Sequence, residues 1–178
     1  MANRKNHYEA ALEAFLRERK VPYVAVDESR RALMSGGSLK SLDFIVSPPE
    51  GGHWLIDVKG RRFPSGDERK HYWKNWSTRD DLRSLARWEQ LFGGDFASVL
   101  VFAYHLVGNQ APLPADQLFA YRDRLYAFVA IGLHDYAPYA RPISESWDTV
   151  AMPVGRFRAA ARPIEDLLAP VIPESSQR

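Results

Sequence analysis

The chain has 178 residues, 46% of them apolar and 12% aromatic, enough for one well-packed domain with a decorated edge and too few for two ordinary ones. Lys and Arg number 24 against 22 Asp and Glu, and a net charge of +2 is too small to announce a nucleic-acid binder. The absence of cysteine excludes disulfides and thiolate metal sites and fits a reducing, cytoplasmic compartment; no apolar run approaches a membrane span, and residues 1–7 lack the apolar core of a secretory signal.

Residues 5–19 predict an amphipathic helix, because Tyr8, Ala11, Leu12, Phe15 and Leu16 recur at helical spacing, with Glu9 at the border of the stripe. Pro22 ends it and opens a short strand over 21–26. Residues 28–41 are polar, contain Ser35-Gly36-Gly37-Ser38, and predict a mobile loop. Strands follow at 42–47 and 53–59, joined by the turn-forming Pro48-Pro49-Glu50-Gly51-Gly52. A second helix begins near Thr78, where Thr78 and Asp81 resemble a capping box, and Gly93-Gly94 stops it. The apolar run 96–104 predicts a buried central strand. Beyond it come a hairpin at 118–132 around Arg122-Asp123-Arg124, a helical turn at 134–140, a strand at 149–153, an amphipathic helix within 155–169, and a frayed tail from Pro170.

The chemistry is concentrated at Asp57-Val58-Lys59. On a strand, side chains alternate, so Asp57 and Lys59 project from one face while Trp54, Ile56 and Val58 project from the other, into a core. A carboxylate and an ammonium on one rigid strand, with a second carboxylate, Asp43, on a neighbouring strand, is what metal-assisted phosphodiester cleavage requires. The acid-x-Lys triplet alone is common, and Glu18-Arg19-Lys20 and Glu68-Arg69-Lys70 also fit it. Only Asp57-Val58-Lys59 follows an apolar run, precedes a glycine, and has an earlier strand opening with an acid. Its bland alternative is an exposed ion pair at a strand end.

From Lys59 to Arg79 the chain carries a local excess of five positive charges, interleaved with Tyr72, Trp73 and Trp76. Lys40, Arg61, Arg62, Lys70, Trp73, Lys74, Trp76 and Arg79 are the candidate nucleic-acid contacts, because cations track phosphates and aromatic faces stack on bases. The alternative is a solvated loop whose tryptophans tuck back onto the core. The five histidines show no zinc-ligand spacing, and neither a phosphate-cradling glycine loop nor a Gly-x-Ser-x-Gly turn is present.

In order, the elements are helix, strand, strand with Asp43, strand with Asp57-Val58-Lys59, helix, strand. Over residues 5–105 this resembles the PD-(D/E)xK nuclease superfamily, which includes restriction endonucleases and archaeal Holliday-junction resolvases. Leu42 stands in place of the motif's proline, and the second acid is Asp57 where many members have glutamate. The resemblance implies a restriction-endonuclease-like three-layer α/β/α fold with a central mixed sheet, here with a C-terminal β/α extension over 106–169. It implies that Asp43 and Asp57 hold Mg²⁺, with Mn²⁺ as a substitute, that the Val58 carbonyl is a further ligand, and that Lys59 is the catalytic lysine. Glu9 matches the first-helix glutamate of the resolvase-like branch. The expected function is an endonuclease acting on nucleic acid, DNA favoured, with a homodimer compatible and no membrane partner. The rivals are a catalytically silent binding or interaction module that keeps the fold, and a small α/β protein whose acids are structural.

Overall fold

The computed structural model describes residues 6–27, 32–34, 37–144 and 146–169, the side chains of Leu33 and Met34 excepted. Helix α1 (His7–Glu18) is followed by β1 (Tyr23–Ala25), β2 (Ala32–Met34), β3 (Gly37–Leu39), β4 (Phe44–Val46), β5 (His53–Phe63) and the short β6 (Ser77–Thr78). Helix α2 (Arg79–Phe92) leads into β7 (Phe96–Leu106), then β8 (Phe119–Tyr121) and β9 (Arg124–Gly132). The chain closes with α3 (Leu133–Tyr136), β10 (Arg141–Ser144), β11 (Thr149–Ala151), α4 (Val154–Ala160), β12 (Arg162–Pro163) and α5 (Ile164–Leu168).

The main sheet runs in the order β1-β4-β5-β7-β9-β12, with β8 also on β9. Only the β5–β7 pair is parallel among the described strands, with Lys59 beside Phe102; the other pairs are antiparallel, so the sheet is mixed. A parallel pair needs a crossover, and α2 supplies it. The run 96–104 is central as expected: β7 lies between β5 and β9, and Val99 to Tyr104 are fully buried.

Helices cover both faces. Phe44, Val46, Ile56, Val58, Val99 and Val101 point to one side, where Leu12, Phe15 and Leu16 of α1 and Ile164 of α5 complete a cluster. Leu55, Phe63, Leu100, Phe102 and Tyr104 point to the other, against Leu85 of α2, Leu133 and Tyr136 of α3 and Phe157 of α4. The result is a mixed α/β fold with helices on either side of a central mixed sheet.

Several elements depart from the sequence expectation, β6 and β10 among them as strands not foreseen. Within the stretch read as a loop, residues 32–34 pair antiparallel with 37–39, while 28–31 and 35–36 lie outside the described residues. The single helix expected within 155–169 is two helices, α4 and α5, separated by β12. Pro163 has no N–H and biases Arg162 toward extended backbone, so both join the edge of β9 instead of continuing a helix. Strand β5 continues to Phe63, because β7 pairs with it along its whole length. The segment expected as an extension supplies β9 to the same sheet, and the tail from Pro170 lies outside the described residues. No described helix is long and apolar enough to cross a membrane.

Candidate functional site

Two backbone features build the site. The β4–β5 ladder sets Phe44 opposite Ile56, and Asp43, the residue before β4, also reaches Ile56: Asp43 N donates to Ile56 O at 2.9 Å. The chain thereby brings Asp43 to the stretch of β5 that carries Asp57, fourteen positions later. Asp43 Oδ2 accepts from Val58 N at 2.6 Å, which ties this carboxylate to the middle of the acid-x-Lys triplet. Asp43, Asp57 and Lys59 are all buried, at 2%, 5% and 8% exposure.

The alternation expected for β5 is present. Ile56 and Val58 join the cluster under α1, whereas Lys59 Nζ lies 2.6 Å from Asp57 Oδ2 on the opposite face. Gly60 falls on the α1 face, where an added Cβ would lie 2.1 Å from Tyr8 Cδ2; only a glycine lets the tyrosine ring lie across the strand at this point.

The lysine has a second carboxylate partner that sequence reasoning assigned to helix capping alone. Asp81 does cap α2: Thr78 Oγ1 accepts from Asp81 N at 3.0 Å, and Asp81 Oδ2 accepts from Thr78 N at 3.1 Å. The same oxygen accepts from Ser77 Oγ at 3.1 Å and lies 2.8 Å from Lys59 Nζ, and Asp81 Oδ1 takes the Lys40 ammonium. The signal was available in part: a capping box at the helix that follows the motif strand brings its N3 acid to the β5 side of the crossover. What could not be read was the loop path from 64 to 76 that decides the distance.

Charge at the site follows from burial and these contacts. Burial pushes the Asp57 carboxyl above its usual value; Lys59 pulls against that, and the negative charge of Asp81 adds to the rise. Burial opposes the charged form of Lys59, but the fields of Asp57 and Asp81 outweigh it and hold the ammonium well above the ordinary lysine value. Burial also opposes ionisation of Asp81, and Lys59 with Lys40 overcomes it, holding this carboxyl well below the usual range.

The other predicted residues are distributed. Lys40, expected at phosphate, is ion-paired with Asp81. Arg61 Nη1 donates to Gly60 O at 2.7 Å, Nη2 donates to Trp76 O, and the guanidinium carbon lies 3.8 Å above the Trp76 ring. Burial draws its pKa down to about 10. Trp73 packs on Phe63 and Tyr104 at ring distances of 5.7 and 6.1 Å, the core-tucked alternative, whereas Trp76 keeps 37% exposure. Arg62, Lys70 and Arg79 are exposed, and Lys74 is half-buried. Arg79 lies 3.7 Å from Asp148. The basic segment is therefore not one continuous strip.

Glu9 is buried at 4% exposure and accepts from Asn6 Nδ2, on a helix that packs on the face of Ile56 and Val58. Among the described residues no group of three His, Asp or Glu side chains is placed to hold a metal ion; of the acids expected to converge, Asp43 reaches the Asp57-Val58-Lys59 triplet through Val58 N, and Glu9 lies on α1. Two carboxylates from adjacent strands, with a backbone carbonyl between Asp57 and Lys59, still fit a hard divalent cation. Magnesium uses one or two carboxylates and retains waters, which suits so sparse a set of acids.

The fold, a central mixed sheet with flanking helices, has a counterpart among solved structures. Among solved structures, the chain is similar to a Holliday junction resolvase from Archaeoglobus fulgidus, an archaeal hyperthermophile: the superposition covers 92% of this chain and 98% of that one, with a TM-score of 0.53 and 12% sequence identity. At that identity the likeness concerns the fold. No protein-family model matches the sequence, and no curated protein matches it.

Proposed function

We propose that this chain is a divalent-metal-dependent phosphodiester hydrolase, an endonuclease for which DNA is the favoured substrate. The observation that carries the reading is the buried Asp43 carboxylate bonded to Val58 N, between Asp57 and Lys59, with the Lys59 ammonium 2.6 Å from Asp57, in a sheet of resolvase type. Asp43 and Asp57, with the Val58 carbonyl, would hold Mg²⁺ or, in its place, Mn²⁺. Bound there, the metal would polarise the scissile phosphate and lower the pKa of an attacking water.

The chain's own residues then have distinct parts. Lys59 stays protonated, because two carboxylates outweigh its burial, so it serves as a fixed positive charge that orients the water and offsets developing negative charge. General-base work by Lys59 is disfavoured for the same reason. Asp81 is a positioning residue that holds the ammonium at its second contact, and Glu9 has no direct role. The similar solved structure is that of a Holliday junction resolvase, which makes branched DNA the first substrate to try.

A second reading, a silent nucleic-acid-binding module, draws support from the 2.6 Å Lys59–Asp57 ion pair, which serves equally as a structural lock. The test is cleavage of labelled duplex, single-strand, flap and four-way DNA with Mg²⁺, comparing wild type with Lys59→Met and Asp57→Asn. The expected outcome is metal-dependent cutting that either variant lowers by at least about 10²-fold, the scale on which one preorganised charge acts. Cutting that survives in purified Lys59→Met, or salt-sensitive binding by wild type with no cutting of any substrate, sinks the hydrolase assignment.

A further inference from the structure

A cavity between the 71–76 segment and the β10–β11 hairpin plays no part in the chemistry above. It encloses about 640 Å³, a usual size for a small-molecule or nucleoside site. One wall is the 71–76 segment, held rigidly: Asn75 Nδ2 donates to Met152 O at 3.1 Å, Asn75 Oδ1 accepts from Met152 N at 2.9 Å, and the buried Tyr104 and Tyr136 hydroxyls donate to the carbonyls of Lys74 and Asn75. The facing wall is the β10–β11 hairpin and the start of α4. Exposed apolar side chains gather on it: Trp147 at 78%, Ile143 at 58%, Val154 at 46% and, across the cavity, Trp76 at 37%. Isolated exposed apolar residues are ordinary, but a patch of this kind around a preformed cavity marks a ligand surface.

Three features choose the ligand. Two of the exposed side chains are tryptophans, whose flat faces suit an aromatic ring better than an aliphatic chain. The ionisable lining residues are Lys74 and His71 with Tyr72, and no carboxylate lines the cavity among the described residues, so its charge complements an anion. One residue links the cavity to the candidate site: Arg61, two positions beyond Lys59 on the same strand face, stacks its guanidinium on Trp76, which lines the cavity.

We propose that this cavity receives an unpaired base of the substrate strand, stacked on Trp147 and Trp76, while Lys74 and Arg61 meet its phosphates. The preferred substrate then carries unpaired nucleotides next to the scissile phosphate. A base inside a continuous duplex must first be extruded, a cost that is least where the base is already unpaired. This inference rests on the nucleic-acid reading above and narrows its substrate class.

The test is fluorescence anisotropy without divalent metal, measuring the affinity ratio of a labelled single-stranded oligothymidylate to a paired duplex of equal length. Trp147 is largely exposed, so its variants should fold. Trp147→Ala and Trp147→Leu are expected to lower that ratio about tenfold, and Trp147→Phe to keep it within about threefold of wild type, since stacking needs the ring face. A ratio unmoved by Trp147→Ala, or held as well by leucine as by phenylalanine, overturns the base pocket; the second result points to an aliphatic partner instead. Cleavage with Mg²⁺ is read separately. Wild type that cuts DNA without Trp147-dependent preference removes the pocket assignment and leaves the hydrolase. Trp147-dependent binding with no cutting keeps the pocket and removes the hydrolase.

Discussion

Lys59 sits between Asp57 and Asp81, and Asp81 in turn answers to Lys40, so four ionised groups form one partly buried chain. Removing one member of such a chain leaves a buried charge uncompensated, whereas removing a surface pair costs little. Asp81→Asn should therefore destabilise the fold by about 3 kcal/mol, at the low end for one-partner removal because Lys40 is partly solvated. Urea unfolding measures it, and an effect below about 0.5 kcal/mol would show that the chain contributes no more than a surface pair. The pH dependence has a definite sign. The Asp81 carboxyl lies below its ordinary value in the folded state, so its contribution is complete above the unfolded pKa of about 3.9 and is lost as pH falls below it. The stability gap between wild type and Asp81→Asn should close as pH falls from about 4.

At the scale of elements, β5 shows how one strand serves two layers. Its even-numbered residues from Trp54 pack toward α1 and its odd-numbered residues toward α2, and the chemistry sits on the α2 side. At Gly60 the Tyr8 ring of α1 lies against the strand, and a methyl there meets it. Gly60→Ala should cost about 1–3 kcal/mol by overpacking, read as a lowered denaturation midpoint with an unchanged slope. Gly60→Ala in a Tyr8→Ala background should recover much of that cost, because the ring that clashes is gone. Additive losses in the double variant would mean that the backbone at Gly60, and not the ring, sets the requirement.

At the scale of the whole molecule, a crossover helix and a single parallel strand pair bring the N-terminus of α2 over the middle of β5, where the candidate metal ligands stand. The metal proposal is tested there without reference to cleavage. Calorimetry with Mn²⁺ should detect binding by wild type and a loss of at least about tenfold in affinity for Asp43→Asn and Asp57→Asn, whereas Glu9→Gln should bind within about twofold of wild type. Equal binding by wild type and Asp57→Asn would place the metal elsewhere or nowhere.

The sequence alone determined the elements whose cause is local. The 3.6-residue stripe placed α1, Thr78 with Asp81 placed the start of α2, the apolar run placed β7, and alternation along Asp57-Val58-Lys59 put acid and amine on one face. Two-residue periodicity is carried by the backbone itself and needs no neighbour. Only the tertiary structure decided which partners those groups meet: Asp81 beside Lys59, Lys40 turned to Asp81, Trp73 in the core and Trp76 under Arg61. Those outcomes depend on register and on the loop between β5 and α2, where side chains far apart along the chain compete for the same buried space and charge. Local propensity contains no record of that competition.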